Sequence, residues 1–169
     1  MSEFRWDHLH LRSPDPEATA RYYVDVFGAT PVNKVDASGA LRVIVNLAGL
    51  NLFIEQVPPE TPAPPHPPHL GLEHIGLAVT NIDAVCAELK ARGAEFTVEP
   101  HSPRPGLWMA FVRAPENVRI EVLERSAGTG LLSVKSSRRG VRSGQNSTIS
   151  KQHQTSAIRP EADLRPTSA

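Results

Sequence analysis

Two stretches of the chain repeat the same arrangement of histidine and glutamate, and this repeat constrains the fold more than any other feature. His8 and His74 are 66 residues apart, and Glu55 and Glu121 are also 66 residues apart. Each histidine follows an acidic residue in a segment where apolar and polar residues alternate, and each glutamate lies in a second segment of this kind. Because an internal repeat indicates a repeated structural unit, the sequence predicts two copies of one module.

Each repeat predicts a strand, a helix and three further strands, which together form a βαβββ module. In the first repeat, Asp15 and Pro16 are typical of a helix start and Gly28 of a helix end. In the second repeat we expect Thr80 to cap the helix. The predicted fold class is therefore α+β, with two tandem modules that form a curved mixed sheet.

The charge distribution separates this folded part from a different C-terminal segment. Residues 1–125 contain 16 acidic and 11 basic side chains, whereas residues 126–169 contain 2 acidic and 7 basic ones. The second segment is rich in Ser and Thr and contains no aromatic residue, so we expect a disordered basic tail. The folded domain is predicted to comprise modules 4–57 and 71–125, joined by a stiff proline-rich linker at 58–70.

Composition also excludes several classes of function. A single cysteine, Cys86, excludes a disulfide framework and a cysteine-based zinc site. No run of eighteen apolar residues is present, and the N-terminus lacks the apolar segment of a signal peptide, so we expect a cytoplasmic protein with no membrane span. The arginines of the tail are not interleaved with aromatic residues, so we expect no nucleic acid partner.

Strand alternation places the repeated histidines and glutamates on the face of the sheet that points away from the helices. Ile54 and Ile120 are core-facing, so Glu55 and Glu121 beside them point the other way. One alternative is that these are ordinary strand histidines and solvated glutamates. However, buried carboxylates without a cation are costly, and two imidazoles with two carboxylates suit Ni, Zn, Co, Mn or Fe(II). We therefore predict that the curved sheet surrounds a metal site, which holds one divalent transition metal with the ligands His8, Glu55, His74 and Glu121.

The residues around these positions resemble those of the vicinal oxygen chelate superfamily. Its members include glyoxalase I, methylmalonyl-CoA epimerase, extradiol dioxygenases and fosfomycin or bleomycin resistance proteins. The resemblance covers about residues 4–125 and rests on four motifs: Asp7-His8-Leu9-His10-Leu11, Phe53-Ile54-Glu55, Glu73-His74-Ile75-Gly76-Leu77-Ala78-Val79 and Asn117-Val118-Arg119-Ile120-Glu121.

Within this superfamily the ligand set is most similar to that of bacterial glyoxalase I. The resemblance implies a lyase or isomerase that moves a proton next to a substrate carbonyl through a metal-stabilised enediolate, with Glu121 as the general base and Glu121 or Glu55 returning the proton. The alternatives are a ring-cleaving, extradiol-type dioxygenase, or a non-catalytic protein that binds an antibiotic or another small molecule.

Several further residues are candidates for contact with a small-molecule substrate. Arg12 lies where glyoxalase I carries an arginine for the glutathione carboxylate, although the turn Ala114-Pro115-Glu116-Asn117 departs from the Asp-Pro-Asp-Gly that is usual in the family. His10 shares a face with His8 and either lines the pocket or replaces His8 as a ligand. The predicted substrate-binding residues are His10, Arg12, Phe53 and Trp108. The two modules pair within one chain or across a dimer, and we expect a homodimer.

Overall fold

The strands of each repeat form their own four-stranded sheet, and one helix follows the first strand of each. The computed structural model describes residues 3–126, so the predicted tail lies outside the described residues apart from Ser126. In chain order the elements are β1 (His8–Ser13), α1 (Pro16–Phe27), β2 (Thr30–Ala37), β3 (Ala40–Leu47), β4 (Leu50–Gln56), β5 (Ile75–Ala78), α2 (Ile82–Ala91), β6 (Glu95–Arg104), β7 (Leu107–Arg113), a short 3-10 helix (Pro115–Asn117) and β8 (Arg119–Arg125). The prediction of two βαβββ modules in an α+β fold is confirmed.

The two sheets have the same strand order relative to their own module. The first sheet runs β1-β4-β3-β2 and the second runs β5-β8-β7-β6. In each sheet the first strand pairs in parallel with the last strand of its module, while the remaining pairs are antiparallel. The histidine-bearing and glutamate-bearing strands of each module are therefore direct neighbours.

Local sequence signals explain where the helices begin and end. The Asp15 carboxylate accepts a hydrogen bond from the Ala18 amide at 3.0 Å, and Gly28 ends α1 in the left-handed region with φ 69°. The prediction that Thr80 caps α2 is wrong. Asn81 is the cap, and its side chain accepts a hydrogen bond from the Ala84 amide at 3.2 Å. The backbone at this position is left-handed, with φ 60°, which asparagine tolerates better than threonine does.

The two modules share one apolar interior. Tyr23 of α1 belongs to a single buried cluster with Leu52 of the first sheet and with Val112 and Ile120 of the second. A second cluster joins Val26 of α1 to side chains of α2, β7 and β8. Because fully buried side chains of this size contribute about 1.5–3 kcal/mol each, this shared interior holds the modules together.

A polar contact also connects the modules at the turn before β8. Glu116 accepts hydrogen bonds from the hydroxyl groups of Ser13 at 2.6 Å and Thr19 at 3.0 Å, and both donors are almost fully buried. Glu116 and Asn117 have φ of 59° and 58°, in the left-handed region that glycine normally occupies.

The segment between β4 and β5 contains the predicted proline-rich linker. Seven of the 14 residues at 57–70 are proline, and no helix or strand forms there. Within residues 3–126, no helix is both long enough and apolar enough to cross a membrane.

Candidate metal centre

Strand pairing brings a histidine and a glutamate together in each module. In the first sheet Arg12 lies opposite Glu55 across the parallel pair β1–β4, and His10 lies opposite Phe53. In the second sheet Gly76 lies opposite Glu121 across β5–β8. Glu55 thus lies beside β1, which contains His10, and Glu121 lies beside β5, which begins directly after His74.

The first half-site consists of His10, Arg12, Arg42 and Glu55. His10 Nε2 lies 3.5 Å from Glu55 Oε2, and the side chain of Glu55 is 12% exposed. Arg42 Nε donates to the same oxygen at 2.9 Å and Arg42 Nη2 also donates to it, while Arg12 Nη1 donates to Glu55 Oε1. Both carboxylate oxygens of Glu55 are therefore engaged by guanidinium groups.

The second half-site consists of Glu73, His74, Arg119 and Glu121. His74 Nε2 lies 3.4 Å from Glu121 Oε2, and the Glu121 side chain is 15% exposed. The other imidazole nitrogen, Nδ1, contacts Glu73, which also accepts from Arg119. Within residues 3–126, no arginine forms an ion pair with Glu121.

His8 lies apart from Glu55. Its ring stacks on Phe53 with 4.0 Å between ring centroids, and its Nδ1 lies 2.6 Å from the Asp7 carboxylate. His8 is four positions before Arg12, the residue paired with Glu55, and four positions correspond to about 13 Å of extended chain. In its distance to a glutamate, therefore, His10 and not His8 corresponds to His74.

His8 nevertheless resembles His74 in having a carboxylate next to its Nδ1 atom. Asp7 contacts Nδ1 of His8 as Glu73 contacts Nδ1 of His74. A carboxylate on Nδ1 fixes the tautomer and leaves Nε2 to bind a metal, an arrangement common among metal-ligating histidines. The ligand role of His8 thus stays a prediction, with His10 as the imidazole closest to Glu55.

The surroundings lower the pKa of three side chains in the two half-sites. The hydrogen bond from Arg42, together with the charge of Arg12, holds the pKa of Glu55 below its usual value. Hydrogen bonds from His74 and then Arg119 lower the pKa of Glu73. Burial, followed by the positive charge of Arg12, lowers the pKa of His10 and favours its neutral imidazole form.

Of the four predicted ligands, His74 and Glu121 form one pair, whereas Glu55 pairs with His10 and not with the predicted His8. No group of three or more His, Cys, Asp or Glu side chains that could hold a metal occurs among residues 3–126. Two ligands on one metal, each bonded at about 2.0–2.2 Å, lie about 3–3.5 Å apart, so the spacing of His74 and Glu121 fits a divalent ion. The spacing of His10 and Glu55 also fits, but the two arginines occupy the oxygens of Glu55.

The remaining predicted site residues divide between the two faces of the sheets. Phe53 shares the half-site face, where His8 stacks on its ring and the Arg42 guanidinium lies 5.5 Å from its centroid. Trp108 does not share that face. In the regular β7–β8 pairing it lies opposite Glu124, whose carboxylate accepts from the first amide of α2, so Trp108 is on the helix side of its sheet.

The most important residue that the sequence reasoning overlooked is Arg42. It alternates with Leu41 and Val43 on β3 and pairs directly with Glu55, so the same alternation that located Glu55 could have located it. The second sheet has Phe111 at the position paired with Glu121, and the guanidinium of Arg119 lies 3.7 Å from the centroid of that ring. In the first half-site the arginine is on the third strand of the module and the phenylalanine on the fourth, whereas in the second half-site the phenylalanine is on the third and the arginine on the fourth.

A cleft of about 660 Å³ lies between the two modules. Apolar side chains of α1, β4, β5 and α2 line most of it, and Gly76 contributes to its wall. Neither His74 nor Glu121 lines this cleft, so it is adjacent to the second half-site rather than part of it.

Comparison with known proteins agrees with this architecture. The model of a family described as the Glyoxalase/Bleomycin resistance protein/Dioxygenase superfamily matches residues 5–122. Uncharacterized protein YaeR of Escherichia coli (strain K12) is 25% identical over 126 residues, which cover 70% of this chain and 94% of that protein.

Two solved structures show a similar fold. The glyoxalase family protein from Enterococcus faecalis has a TM-score of 0.62 and 24% identity, with 71% of this chain and 97% of that chain covered. A mutant of the fosfomycin resistance protein FosX from Listeria monocytogenes, complexed with Mn(II) and a dihydroxypropylphosphonic acid, has a TM-score of 0.57 and 18% identity, with 72% of this chain and 92% of that chain covered.

Proposed function

The chain belongs to the Glyoxalase/Bleomycin resistance protein/Dioxygenase superfamily, and we propose that it is a divalent-metal-dependent lyase or isomerase of the glyoxalase I type. The observation that carries this proposal is the second half-site, where Glu121 lies 3.4 Å from His74 and has no arginine partner among residues 3–126. A carboxylate that is not already neutralised is available both to bind a cation and to accept a proton.

In this reaction Glu121 removes a proton from the carbon next to a substrate carbonyl and returns it to the neighbouring carbon. Glu55 is the weaker candidate for proton transfer, because Arg12 and Arg42 stabilise its ionised form. Glu73 orients the imidazole of His74 through Nδ1. A divalent ion held by His74 and Glu121 would supply the Lewis acid that stabilises negative charge on the carbonyl oxygen.

We propose that the protein acts as a homodimer on a small-molecule substrate. Each half-site offers one imidazole close to one glutamate, which is too few ligands for a complete centre. Pairing the first half-site of one chain with the second half-site of its partner would add an imidazole, His8 or His10, to His74 and Glu121 and so give the three protein ligands that a catalytic metal site needs. His10, Arg12 and Phe53 would then contact the substrate opposite Glu121.

A ring-cleaving dioxygenase is the second candidate, and the arginine partners of Glu55 are the observation that favours it. If Glu55 is not a ligand, the set is reduced to two histidines and one carboxylate. Two histidines and one carboxylate are the ligand set of non-haem Fe(II) oxygenases.

The deciding experiment measures metal content and two activities on the full-length protein. Purified wild type, Glu121→Gln and the exposed control Glu60→Gln are reconstituted with divalent metals and analysed for bound metal. Hemithioacetals and thioesters in D₂O are followed for exchange at the carbon next to the carbonyl, and catechols are followed for oxygen uptake.

We expect metal binding and deuterium exchange in wild type and Glu60→Gln, and the loss of both in Glu121→Gln. Oxygen uptake without deuterium exchange would replace the lyase with the dioxygenase. Equal metal content in all three proteins, with neither activity, would overturn both and leave a non-catalytic binding protein.

A further inference from the structure

The two half-sites carry opposite charge although the modules have the same topology. In the first half-site two guanidinium groups share the single carboxylate of Glu55, which leaves one net positive charge. Asp7, which contacts His8, is 84% exposed and therefore solvated, unlike its counterpart Glu73 at 24%. In the second half-site Arg119 pairs with Glu73, while Glu121 contacts His74, so one guanidinium and two carboxylates leave one net negative charge. A cation is attracted to the second half-site and repelled by the first.

The contacts of Glu55 explain how the positive half-site is built. Arg42 directs Nε and Nη2 to Oε2, and Arg12 directs Nη1 to Oε1, so the arginines occupy both oxygens. A metal ion that bound Glu55 would have to displace at least one of these bonds and lie next to the guanidinium groups. Charge-assisted bonds of this kind are roughly twice as strong as neutral ones, so the displacement is unfavourable.

Arg42 is held in place from a second side. Its guanidinium lies 5.5 Å from the centroid of Phe53, and His8 stacks on Phe53 at 4.0 Å with an interplanar angle of 10°. The side chain of Arg42 is 27% exposed, and its Nε and Nη2 are the guanidinium nitrogens directed at Glu55. A partly exposed guanidinium with a fixed orientation suits an oxyanion.

We propose that Arg42 binds an anionic oxygen group of the substrate, a carboxylate or a phosphate, and that Glu55 holds Arg42 and Arg12 in place instead of binding the metal. This inference rests on the proposed function only for the position of the metal in the second half-site, which the lyase and the dioxygenase share. Each centre of the proposed dimer then has a cation-binding side at His74 and Glu121 and an anion-binding side at Arg42, next to Arg12.

The first test is a calorimetric titration of metal-free, full-length protein with Co²⁺. Glu55→Gln and Glu121→Gln are matched variants because each removes one negative charge. We expect Glu121→Gln to weaken Co²⁺ binding by at least about 30-fold, and Glu55→Gln to change it by less than about threefold. An equal loss in both variants would show that Glu55 is a ligand and overturn the inference, whereas unchanged binding in both would overturn the proposed function.

The second test is a titration of the metal-free protein with inorganic phosphate, so its result does not depend on the metal. We expect Arg42→Met to weaken phosphate binding by about tenfold, with a smaller loss in Arg42→Lys, which keeps the charge but not the two-nitrogen contact. The matched control is Arg113→Met, because Arg113 also forms one ion pair on a strand, with Glu95.

Each outcome of the phosphate titration decides the question. Wild-type phosphate binding in Arg42→Met, or the same loss in Arg113→Met, would overturn the assignment of Arg42. If circular dichroism shows that Arg42→Met does not fold, Arg42→Lys decides alone. A loss of at least about threefold then supports the inference and no loss overturns it.

Discussion

Replacement of Glu116 tests how the two modules are held together. The Glu116 carboxylate accepts from Ser13 and Thr19, whose hydroxyls are also within 2.8 Å of each other. In Glu116→Ala one of these two buried hydroxyl protons loses its acceptor. Because a hydrogen bond to a charged group contributes about 1.5–3 kcal/mol, we expect the free energy of unfolding to fall by about 2–4 kcal/mol.

The backbone of Glu116 allows a sharper comparison between two variants. Its φ of 59° is costly for alanine but not for glycine, so Glu116→Gly should be about 1 kcal/mol less destabilising than Glu116→Ala. Urea unfolding followed by far-UV circular dichroism measures both values, and an unchanged m-value confirms a common transition. The exposed control Glu60→Ala should stay within about 0.5 kcal/mol of wild type.

Two results would refute this reasoning. A loss below about 1 kcal/mol in Glu116→Ala would show that the contact with Ser13 and Thr19 does not stabilise the packing of the modules. A glycine variant that is less stable than the alanine variant would show that the left-handed backbone at this position is not strained for a residue with a side chain.

Three further predictions concern the half-sites and the core. Gly76→Arg places a guanidinium beside Glu121 as Arg12 lies beside Glu55, so calorimetry should show Co²⁺ binding about 30-fold weaker than in wild type. The control is Gly76→Ala, which should bind Co²⁺ as wild type does because its Cβ would lie in ordinary contact with Glu121 Oε2, at 3.4 Å. The pKa of Glu55 is lower in the folded protein, so its ionised form contributes stability above the unfolded-state pKa of about 4.3, and this stability is lost as the pH falls through the lower folded-state pKa. When Tm is measured against pH, Glu55→Gln should therefore lose less Tm than wild type between neutral and acidic pH. Burial raises the pKa of the Cys86 thiol, so a thiol reagent at pH 8 should react at least about tenfold faster in denaturant than in the native protein, and equal rates would contradict this.

The module architecture could be predicted because its signals are local and repeated. Alternation identified the faces of the strands, and Asp15 and Gly28 marked the ends of α1. The position of Glu55 on the face that points away from the helix follows from the same alternation. None of these features depends on how the two sheets are placed relative to each other.

The choice between His8 and His10 could not be made from the sequence, and the reason is geometric. A strand has a period of two residues, so a shift of the β1–β4 register by two residues keeps every side chain on the same face. Alternation is therefore unable to tell which of the two histidines lies beside Glu55. The 66-residue spacing favoured His8, whereas the observed register places His10 at 3.5 Å.

The separation of the pair His74 and Glu121 from the pair His10 and Glu55 depends on contacts between modules rather than on patterns within them. Tyr23, Val112 and the other residues of the shared interior fix the relative positions of the sheets. Nothing in the repeat distinguishes this arrangement from one in which all four ligands meet within one chain. The repeat predicts which residues are equivalent but not which of them are neighbours.

The departures from the repeat determine the chemistry of each half. The position opposite the glutamate is Arg12 in the first sheet and Gly76 in the second, and the neighbouring antiparallel position is Arg42 in the first and Phe111 in the second. These two differences convert one glutamate into a partner for arginines and leave the other available for a cation. In the proposed dimer, half-sites of opposite charge would face each other, so the same two differences would favour pairing between unlike half-sites and disfavour pairing between like ones.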